Sequence, residues 1–230
     1  MESKNAYRHE LKYSVSYAGY LALRARLRPV MEPDPHAGGD GCYTIRSIYF
    51  DNYSDTVLRE KLDGVRKREK FRLRWYNDEL SLIHLEKKMK HDNLCLKLSA
   101  QLTEEECRAL CAGRVDWMLS HPAELVRELR CKMTLQQLRP RVLVSYLREP
   151  YVYSPGNVRV TFDSRVRTSL FRRELLQKGP PDICAGDSPG DMFMEVKYDA
   201  FLPEIIAALL QTEGLRQQAF SKYGACRRYG

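Results

Sequence analysis

The sequence lacks three features that would place it outside the cytoplasm. Its 230 residues contain no apolar run close to the roughly 18 residues that a membrane-spanning helix needs. The opening residues, MESKNAYRHELKY, have no apolar core of the kind found in signal peptides. The seven cysteines form no CxxC pair, and an odd number in a chain of this length argues against a secreted disulfide scaffold. We therefore expect a cytoplasmic protein without a membrane segment.

Negative charge is also scarce. The chain has 30 aspartates and glutamates against 38 lysines and arginines, which gives a formal net charge of +8 at pH 7. This imbalance favours an anionic partner, and nucleic acid, a phosphorylated metabolite, a polyanion and an acidic membrane would each satisfy it. Hydrophobic residues make up 43% of the chain and charged residues 30%, which is typical of a soluble globular domain and excludes an intrinsically disordered one.

One stretch, RKREKFRLRWY at residues 66–76, alternates with a period of two. Its even-numbered positions from 66 to 74 are all basic and include Arg72 and Arg74, whereas Phe71, Leu73 and Trp75 lie between them. Successive side chains of a β-strand point to opposite faces, so the pattern predicts a strand with one cationic face and one mostly apolar face. Taken alone, such a cationic face fits a solvated surface as well as a binding site.

The same alternation recurs in further predicted strands, at residues 8–13, 43–50, 80–90, 141–151, 158–164 and 192–198. Helical periodicity is found at 17–31, 55–62, 102–138 and 202–210, and a loop rich in Gly and Pro is expected at 179–191. The polar faces are mostly of one sign, whereas soluble surfaces usually mix both signs. We therefore predict an α+β fold, a closed antiparallel β-barrel with helices packed outside and a charged, water-filled tunnel inside. It would form a single domain over residues 1–230, with a helical insert at about 102–138.

A charged tunnel is costly unless it is hydrated, paired or filled. The excess of cations on the predicted inner faces favours binding of a polyanion with its charges in a row, such as a triphosphate. The few carboxylates beside them would suit a hard divalent cation, which takes oxygen ligands and usually binds with substrate phosphates. The predicted inner cations are Arg8, Lys12, Arg46, Arg66, Arg68, Lys70, Arg72, Arg74, Lys88, Arg148, Arg159 and Lys197, and the acids are Glu10, Glu86, Asp163 and Glu195.

The chain also carries eight segments that, in this order, resemble a known family. They are RHELKY, YTIRSIYFDN, REKFRLRWY, LEKKMK, SYLREPY, VRVTFDS, MEVKY and SKY, and the resemblance covers residues 6–223. The family is the catalytic domain of the vacuolar transporter chaperone (VTC), the polyphosphate polymerase branch of the triphosphate tunnel metalloenzyme superfamily. The resemblance implies a tunnel of about eight antiparallel strands. It also implies transfer of the ATP γ-phosphate to a growing inorganic polyphosphate chain, with Mn²⁺ or Mg²⁺.

The resemblance and the inner-face pattern together predict roles for individual residues. The predicted catalytic residues are Arg72, Arg74, Lys88, Arg148 and Glu195, of which Glu195 would bind the metal ion. The predicted substrate-binding residues are Lys12, Arg46, Arg68, Arg72, Arg74, Lys88, Arg148, Arg159, Lys197 and Lys222. Further candidate metal ligands are Glu10 and Glu86.

One departure from the superfamily bears on the reaction. Its hydrolase branch carries ExExK on the first strand, but here Arg8 stands at the position of the first Glu, which leaves only Glu10 and Lys12. Fewer acids suit a polyanion site better than a multi-carboxylate metal site. Two alternatives stay open: a tunnel triphosphatase that hydrolyses nucleotide or inorganic triphosphate, and a non-catalytic polyphosphate-binding module. Nucleic acid is disfavoured, because Phe71 and Trp75 alternate away from the cations and cannot stack bases beside them.

Overall fold

The computed structural model describes residues 8–92, 94–169, 176, 179, 183–185, 192–212, 215–217 and 220–227. Most of the loop predicted at 179–191 lies outside these residues. The strands are β1 (Arg8–Val15), β2 (Glu32–Pro33), β3 (Tyr43–Asp51), β4 (Lys67–Tyr76), β5 (Glu79–His91), β6 (Leu94–Leu102), β7 (Arg139–Tyr153), β8 (Val158–Ser169), β9 (Ile183–Cys184), β10 (Met192–Tyr198) and β11 (Arg216–Gln217). The helices are α1 (Tyr17–Leu27), α2 (Thr56–Leu62), α3 (Glu104–Cys111), α4 (Glu124–Leu135), α5 (Glu204–Leu209) and α6 (Lys222–Cys226), with 3₁₀ helices at Asp116–Ser120 and Pro155–Asn157.

Eight of the strands close into a ring. Hydrogen-bonded neighbours follow the order β7, β3, β4, β5, β6, β1, β10, β8 and return to β7. All of these pairs are antiparallel. The short strands β2, β9 and β11 pair with β7, β8 and β1. The predicted α+β fold, a closed antiparallel barrel of about eight strands with helices outside, is therefore confirmed.

The strand register turns the charged faces toward the inside of the ring. Residues directly opposite each other on paired strands share a face, and Arg72 lies opposite Tyr49 of β3 and Glu86 of β5. Elsewhere in the ring, Lys12 lies opposite Glu195. The neighbouring positions on these strands are the apolar ones, and they point outward. This alternation gives the ring a polar interior and an apolar exterior.

The outer face of β3, β4, β5 and β7 packs against the helical segment that joins β6 to β7. Val126, Leu129 and Met133 of α4 form a buried stripe over Leu73 and Leu85 of the sheet. Burying one such side chain stabilises the fold by about 1.5–3 kcal/mol. The stripe explains the helical periodicity of this segment, since only one face of α4 meets the ring.

The first helix of the same segment begins at a capping box, as the spacing of Thr103 and Glu106 predicts. The Thr103 hydroxyl accepts a hydrogen bond from the Glu106 backbone N–H, and the Glu106 side chain accepts one from the Thr103 N–H. Two N–H groups that would lack partners at the start of the helix are thereby satisfied.

A second apolar core lies under α1 and α5. Leu23 and Leu27 of α1 and Ile206 of α5 pack against Phe162 and Met194 of the ring. The helix predicted at 17–31 ends earlier, at Leu27, because Pro29 follows and has no N–H with which to extend the helix. The helix predicted at 202–210 is α5 (Glu204–Leu209), and Pro203 is its N-cap.

Strand β6 is the main element that the sequence analysis missed. It lies between the strand predicted to end at residue 90 and the helical segment predicted to begin at 102. It pairs with β5 along its whole length and with β1 at Leu94 and Cys95. Without it, the ring would stay open between β5 and β1.

A cationic cavity inside the strand ring

The ring encloses a cavity of about 570 Å³. Among the described residues its lining is strongly cationic, since eleven lysines and arginines line it against two carboxylates. Most of these side chains come from β1, β4, β5 and β10. The lining cations are Lys12, Lys61, Arg68, Lys70, Arg72, Arg74, Lys88, Lys90, Arg148, Lys197 and Lys222, and the carboxylates are Glu10 and Glu195.

Most of the predicted site residues meet in this cavity. All five predicted catalytic residues line it, as do eight of the ten predicted substrate-binding residues. The two that lie elsewhere are Arg46 and Arg159. Of the candidate metal ligands, Glu10 and Glu195 reach the cavity, whereas Glu86 is buried behind its wall.

Arg46 points away from the cavity. It lies opposite Trp75 of β4 and Ser145 of β7, on the outer face of the ring. Its Nε atom is 2.8 Å from an Asp78 carboxylate oxygen. Both faces of β3 are buried, so the polar and apolar alternation that assigns faces in the other strands is ambiguous here.

Arg159 shares the inner face, but its guanidinium is held beside the cavity. It lies opposite Lys197 on β10. Its Nη2 atom is 2.5 Å from an Asp34 oxygen and donates a hydrogen bond of 2.7 Å to the Tyr43 hydroxyl. Asp34 therefore neutralises this cation, and the sequence gives no sign of that partner because Asp34 lies in the loop after β2.

Arg72 and Arg74 are anchored by a buried carboxylate. Arg72 donates from Nε to Glu86 at 2.7 Å and from Nη1 to the Tyr49 hydroxyl at 2.9 Å, and Arg74 approaches the same carboxylate at 3.7 Å. Burial acts to raise the pKa of Glu86, but Arg72, Arg74 and Lys97 hold it well below the usual value. Glu86 is therefore a permanent anion that fixes the two guanidinium groups.

Arg148 is held in the same way by Asp163. Its Nε and Nη2 atoms each donate to one Asp163 oxygen at 2.7 Å, and the Lys222 ammonium lies 2.6 Å from the same carboxylate. Burial opposes ionisation of Asp163, yet Arg148 and Lys222 lower its pKa to about 2. The sequence analysis placed Asp163 on the inner face, and the structure shows that it orients two cations.

A second cluster brings lysines against the two lining carboxylates. Lys12 lies 2.9 Å from Glu10 and 3.6 Å from Glu195. Lys88 lies 2.5 Å from Glu10, and Lys197 pairs with Glu195. Burial would raise the pKa of both carboxyl groups, but the lysines hold both below the usual value. We call these five residues the carboxylate–lysine cluster.

Like charges face each other along β4 and β5. Arg68 lies opposite Lys90, and Lys70 lies opposite Lys88, and we call these four residues the cation row. Burial and the neighbouring cations lower the pKa of Lys70 to about 7. Its ammonium lies over the Tyr223 ring, 5.1 Å from the ring centre. The cavity thus concentrates positive charge at a cost that the ligand-free protein bears.

Helix α6 brings Lys222 into the cavity. The Tyr223 hydroxyl donates to Asp51 of β3, and Arg227 donates to Asp55 at 2.6 Å. These bonds tie the helix to the ring while Lys222 reaches Asp163 on the inside. The sequence analysis predicted Lys222 of the SKY segment as a substrate-binding residue, but it predicted no helix there.

Sequence reasoning missed several other lining residues. Lys90 follows Lys88 at the spacing of the strand, so its alternation could have identified it. Lys61 comes from α2, and nothing in its local pattern marks it. Tyr49 and Tyr146 lie on the inner face, but an aromatic ring in a strand favours a packing role when only the sequence is read.

The cavity offers oxygen donors that fit a magnesium or manganese ion. Glu10 and Glu195 are hard ligands, and such ions usually take one or two carboxylates together with substrate phosphates. Glu86 does not fit, because Arg72, Arg74 and Lys97 already surround it. Across the described residues, no group of three or more His, Cys, Asp or Glu side chains could form a metal site by itself.

The closed ring and its cationic interior define a tunnel-type protein. The model of the VTC domain family matches residues 7–229. The chain therefore belongs to the VTC domain family, which confirms the resemblance seen in the sequence. Membership in this family supports a polyphosphate-related enzyme of the tunnel type.

Several solved structures also match this chain, each at low sequence identity and with a TM-score below 0.5. A putative adenylate cyclase from Bacillus halodurans is 14% identical, with a TM-score of 0.49, and the match covers 84% of this chain and 80% of that one. A protein from Pyrococcus horikoshii is 13% identical over 91% of this chain and 94% of that one, with a TM-score of 0.43. A putative adenylate cyclase from Vibrio parahaemolyticus is 10% identical over 89% and 83%, with a TM-score of 0.45.

One further comparison gave no match. None of the curated proteins matches this chain. Within the part of the chain that the structure describes, no helix combines the length and the apolar character that crossing a bilayer requires.

Proposed function

We propose that the protein is a polyphosphate polymerase that transfers the γ-phosphate of ATP to the end of a growing inorganic polyphosphate chain. The observation that carries this proposal is the cation row, in which Arg68 faces Lys90 and Lys70 faces Lys88. Like charges directly opposite each other destabilise a sheet. A polyanion lying along these strands would offset that cost, and linear polyphosphate carries its charges in such a row.

The size and charge of the cavity favour two bound polyanions over one. Its volume of about 570 Å³ falls within the roughly 300–1,000 Å³ of small-molecule sites. Eleven cations against two carboxylates supply more positive charge than a single triphosphate balances. A donor triphosphate and an acceptor chain end that bind together would neutralise more of this positive charge.

The arginines are oriented before any ligand arrives. Glu86 fixes Arg72, and Asp163 fixes Arg148 through two bonds of 2.7 Å. A guanidinium has five N–H donors, so each arginine keeps donors for phosphate oxygens. Cations that need no reorganisation during the reaction stabilise developing charge most effectively. We assign Arg72, Arg74 and Arg148 to the donor triphosphate.

Transfer of the γ-phosphate requires little covalent chemistry from the protein. The nucleophile is a terminal phosphate oxygen of the chain, which is already an anion, so no general base is needed. It forms a bond to the γ-phosphorus while the bond to the β-phosphate oxygen breaks, and ADP leaves. The protein aligns two polyanions that repel each other and neutralises their charge. We assign Arg68, Lys70 and Lys90 to the acceptor chain and Lys88 and Lys222 to the phosphates nearest the transfer.

A divalent cation would bind at the carboxylates of the cavity. Glu195, with Glu10 beside it, would hold Mn²⁺ or Mg²⁺. When bound, the ion would neutralise charge on the phosphate oxygens as a Lewis acid. Among the described residues, the seven cysteines form no disulfide, which suits a reducing compartment, and we place the enzyme in the cytoplasm, where ATP is available to it.

Product analysis tests the proposal. Purified protein is incubated with ATP labelled on the γ-phosphate and Mn²⁺, and the products are separated by gel electrophoresis. We expect a ladder of labelled chains. Labelled free phosphate without chains would identify a triphosphatase instead, and salt-sensitive polyphosphate binding without turnover would identify a binding module.

A further inference from the structure

All four oxygens of the two lining carboxylates face lysine ammonium groups. The Oε1 atom of Glu10 lies 2.9 Å from Lys12, and its Oε2 atom lies 2.5 Å from Lys88. The Oε2 atom of Glu195 lies 3.6 Å from Lys12, and its Oε1 atom pairs with Lys197. Any divalent cation that binds these carboxylates must therefore compete with ammonium groups.

The strand register builds this arrangement from two copies of one short motif. Strand β1 carries Glu10-Leu11-Lys12 and strand β10 carries Glu195-Val196-Lys197. Because the strands are antiparallel, Glu10 lies opposite Lys197 and Lys12 lies opposite Glu195. Each carboxylate thus lies opposite one lysine across the strands and two positions before another along its own strand. Lys88 reaches the group from β5.

We propose that Lys12, Lys88 and Lys197 are exchangeable counter-ions, which close Glu10 and Glu195 to divalent cations until a polyanion enters the cavity. The lysines then move to phosphate oxygens, and the freed carboxylates bind the metal ion. Metal and polyanion therefore bind as a coupled pair. This inference rests on the proposed function only in taking the ligand of the cavity to be a polyanion.

Local charge explains why the exchange is needed. Three lysines and two carboxylates leave the cluster with a net positive charge, and eight further cations line the same cavity. A divalent ion entering the ligand-free protein would add to that positive charge in a partly buried space, where charges interact more strongly than in water. The phosphates of a polyanion reverse the sign and make the metal ion favourable.

The choice of lysine suits this role. A lysine ammonium is a compact charge on a flexible four-carbon stem, whereas a guanidinium forms planar, two-bond contacts with a carboxylate. In this cavity the carboxylates that anchor arginines, Glu86 and Asp163, are 2% and 0% exposed. The carboxylates that face the cavity meet lysines instead. Each buried carboxylate thus fixes an arginine, with a lysine as a further partner, whereas the exchangeable pairs are made by lysine.

Manganese binding to the ligand-free protein tests the inference. Free Mn²⁺ is measured by electron paramagnetic resonance during titration of the protein alone. We expect the unaltered protein to bind Mn²⁺ only weakly, and the Lys12→Met, Lys88→Met double variant to bind one Mn²⁺ at least about tenfold more tightly. Adding Glu195→Gln to that variant should remove the gain.

A matched control separates the ion pairs from the general field of the cavity. The Lys70→Met, Lys90→Met double variant replaces the same number of lysines in the same cavity, but the ion pairs of Glu10 and Glu195 are made by other lysines. We expect it to raise Mn²⁺ affinity less than threefold, roughly. An equal gain in the two double variants would overturn the inference, and so would tight Mn²⁺ binding by the unaltered protein.

A second measurement covers the case in which the double variants do not fold. The affinity for tripolyphosphate is measured by calorimetry with and without Mn²⁺, in the unaltered protein and in Glu195→Gln. We expect Mn²⁺ to strengthen tripolyphosphate binding in the unaltered protein but not in Glu195→Gln, since coupling is reciprocal. An equal Mn²⁺ effect in both proteins would contradict the exchange. Neither measurement contains ATP or scores turnover, so failure here is distinct from failure of the polymerase proposal.

Discussion

At the scale of single residues, Arg46 of β3 and Arg74 of β4 show that the face of the ring on which a cation lies decides whether it reaches the cavity. Both are 7% exposed, so burial does not distinguish them. Arg74 lies on the inner face, with its Nη2 atom 3.2 Å from the Tyr146 hydroxyl. Arg46 lies on the outer face against Asp78. The face, rather than the depth, separates a cation that lines the cavity from one that does not.

The same substitution at these two positions should therefore have different effects. Arg74→Met removes positive charge from the transferring phosphate, and we expect the rate of γ-phosphate transfer at saturating ATP to fall about 10²–10³-fold. Arg46→Met removes an outer ion pair, and we expect the rate to change less than about twofold. Thermal unfolding of both variants serves as the control for folding. Equal losses of rate would remove Arg74 from the proposed site.

Lys70 should make polyanion binding depend on pH. Its pKa is about 7 in the ligand-free protein, because of burial and the surrounding cations, and a bound polyanion raises it again. Affinity is then greatest below pH 7 and falls as pH rises from 7 toward the pKa of the bound state. Binding at pH 8 must take up protons.

Calorimetry in two buffers of different ionisation enthalpy measures this uptake directly. We expect tripolyphosphate to bind with proton uptake at pH 8, and the uptake to shrink by up to about one proton in Lys70→Met. Lys67→Met is the matched control, since Lys67 lies on the same strand but does not line the cavity. If the two variants take up the same number of protons, Lys70 is not the titrating group.

At the scale of elements, α6 acts as a support for one cation. Tyr223 ties the helix to Asp51 of β3, and Asp51 also accepts hydrogen bonds from Val57 and Leu58 of α2. The buried Asp51 thus joins two helices to the ring. Lys222 owes its position against Asp163 to this arrangement.

A double-mutant cycle tests that support. We expect Tyr223→Phe to weaken tripolyphosphate binding and to lower the free energy of unfolding by about 1–3 kcal/mol, because Asp51 loses a buried partner. If the hydroxyl affects binding only through Lys222, adding Tyr223→Phe to Lys222→Met should weaken binding no further. Additive losses in the double variant would show that Tyr223 contacts the polyanion by another route.

The outer helices should contribute stability without contributing to binding. Leu129 on the buried face of α4 is fully inaccessible to solvent, whereas Leu135 on the same helix is 82% exposed. We expect Leu129→Ala to lower the free energy of unfolding in urea by about 2–5 kcal/mol and Leu135→Ala to change it by less than about 0.5 kcal/mol. Tripolyphosphate affinity should stay unchanged in both. A loss of affinity in Leu129→Ala alone would mean that α4 shapes the cavity.

The elements also show what a local pattern can predict. Strands β4 and β10 follow from strict alternation, because charge on one face contrasts with apolar side chains on the other. The sequence LCLKLSAQL of β6 alternates too, but its inner face carries only Lys97 as a charged residue and its leucines suit a helix as well. This strand was missed because its two faces differ little in polarity, and not because it lacks the two-residue period of a strand.

At the scale of the whole molecule, the sequence could predict a charged interior but not the partners within it. Alternation placed Glu86, Asp163 and Glu195 on inner faces, and family resemblance supplied the number of strands. The register between strands that are distant in sequence decides which of the inner residues pair with one another. It makes Glu86 an anchor for Arg72, rather than the metal ligand for which the sequence made it a candidate. No local pattern encodes such pairings, because they arise only when the ring closes.

The central claim is that the inside of the ring binds the triphosphate, and a crystal structure with a nonhydrolysable ATP analogue and Mn²⁺ tests it most directly. The account predicts phosphate oxygens within hydrogen-bond distance of Arg72, Arg74 and Arg148, the metal ion on Glu195, and Lys12 and Lys197 moved from carboxylate to phosphate. A triphosphate bound outside the ring, with the cavity and its lysine pairs unchanged, would contradict it.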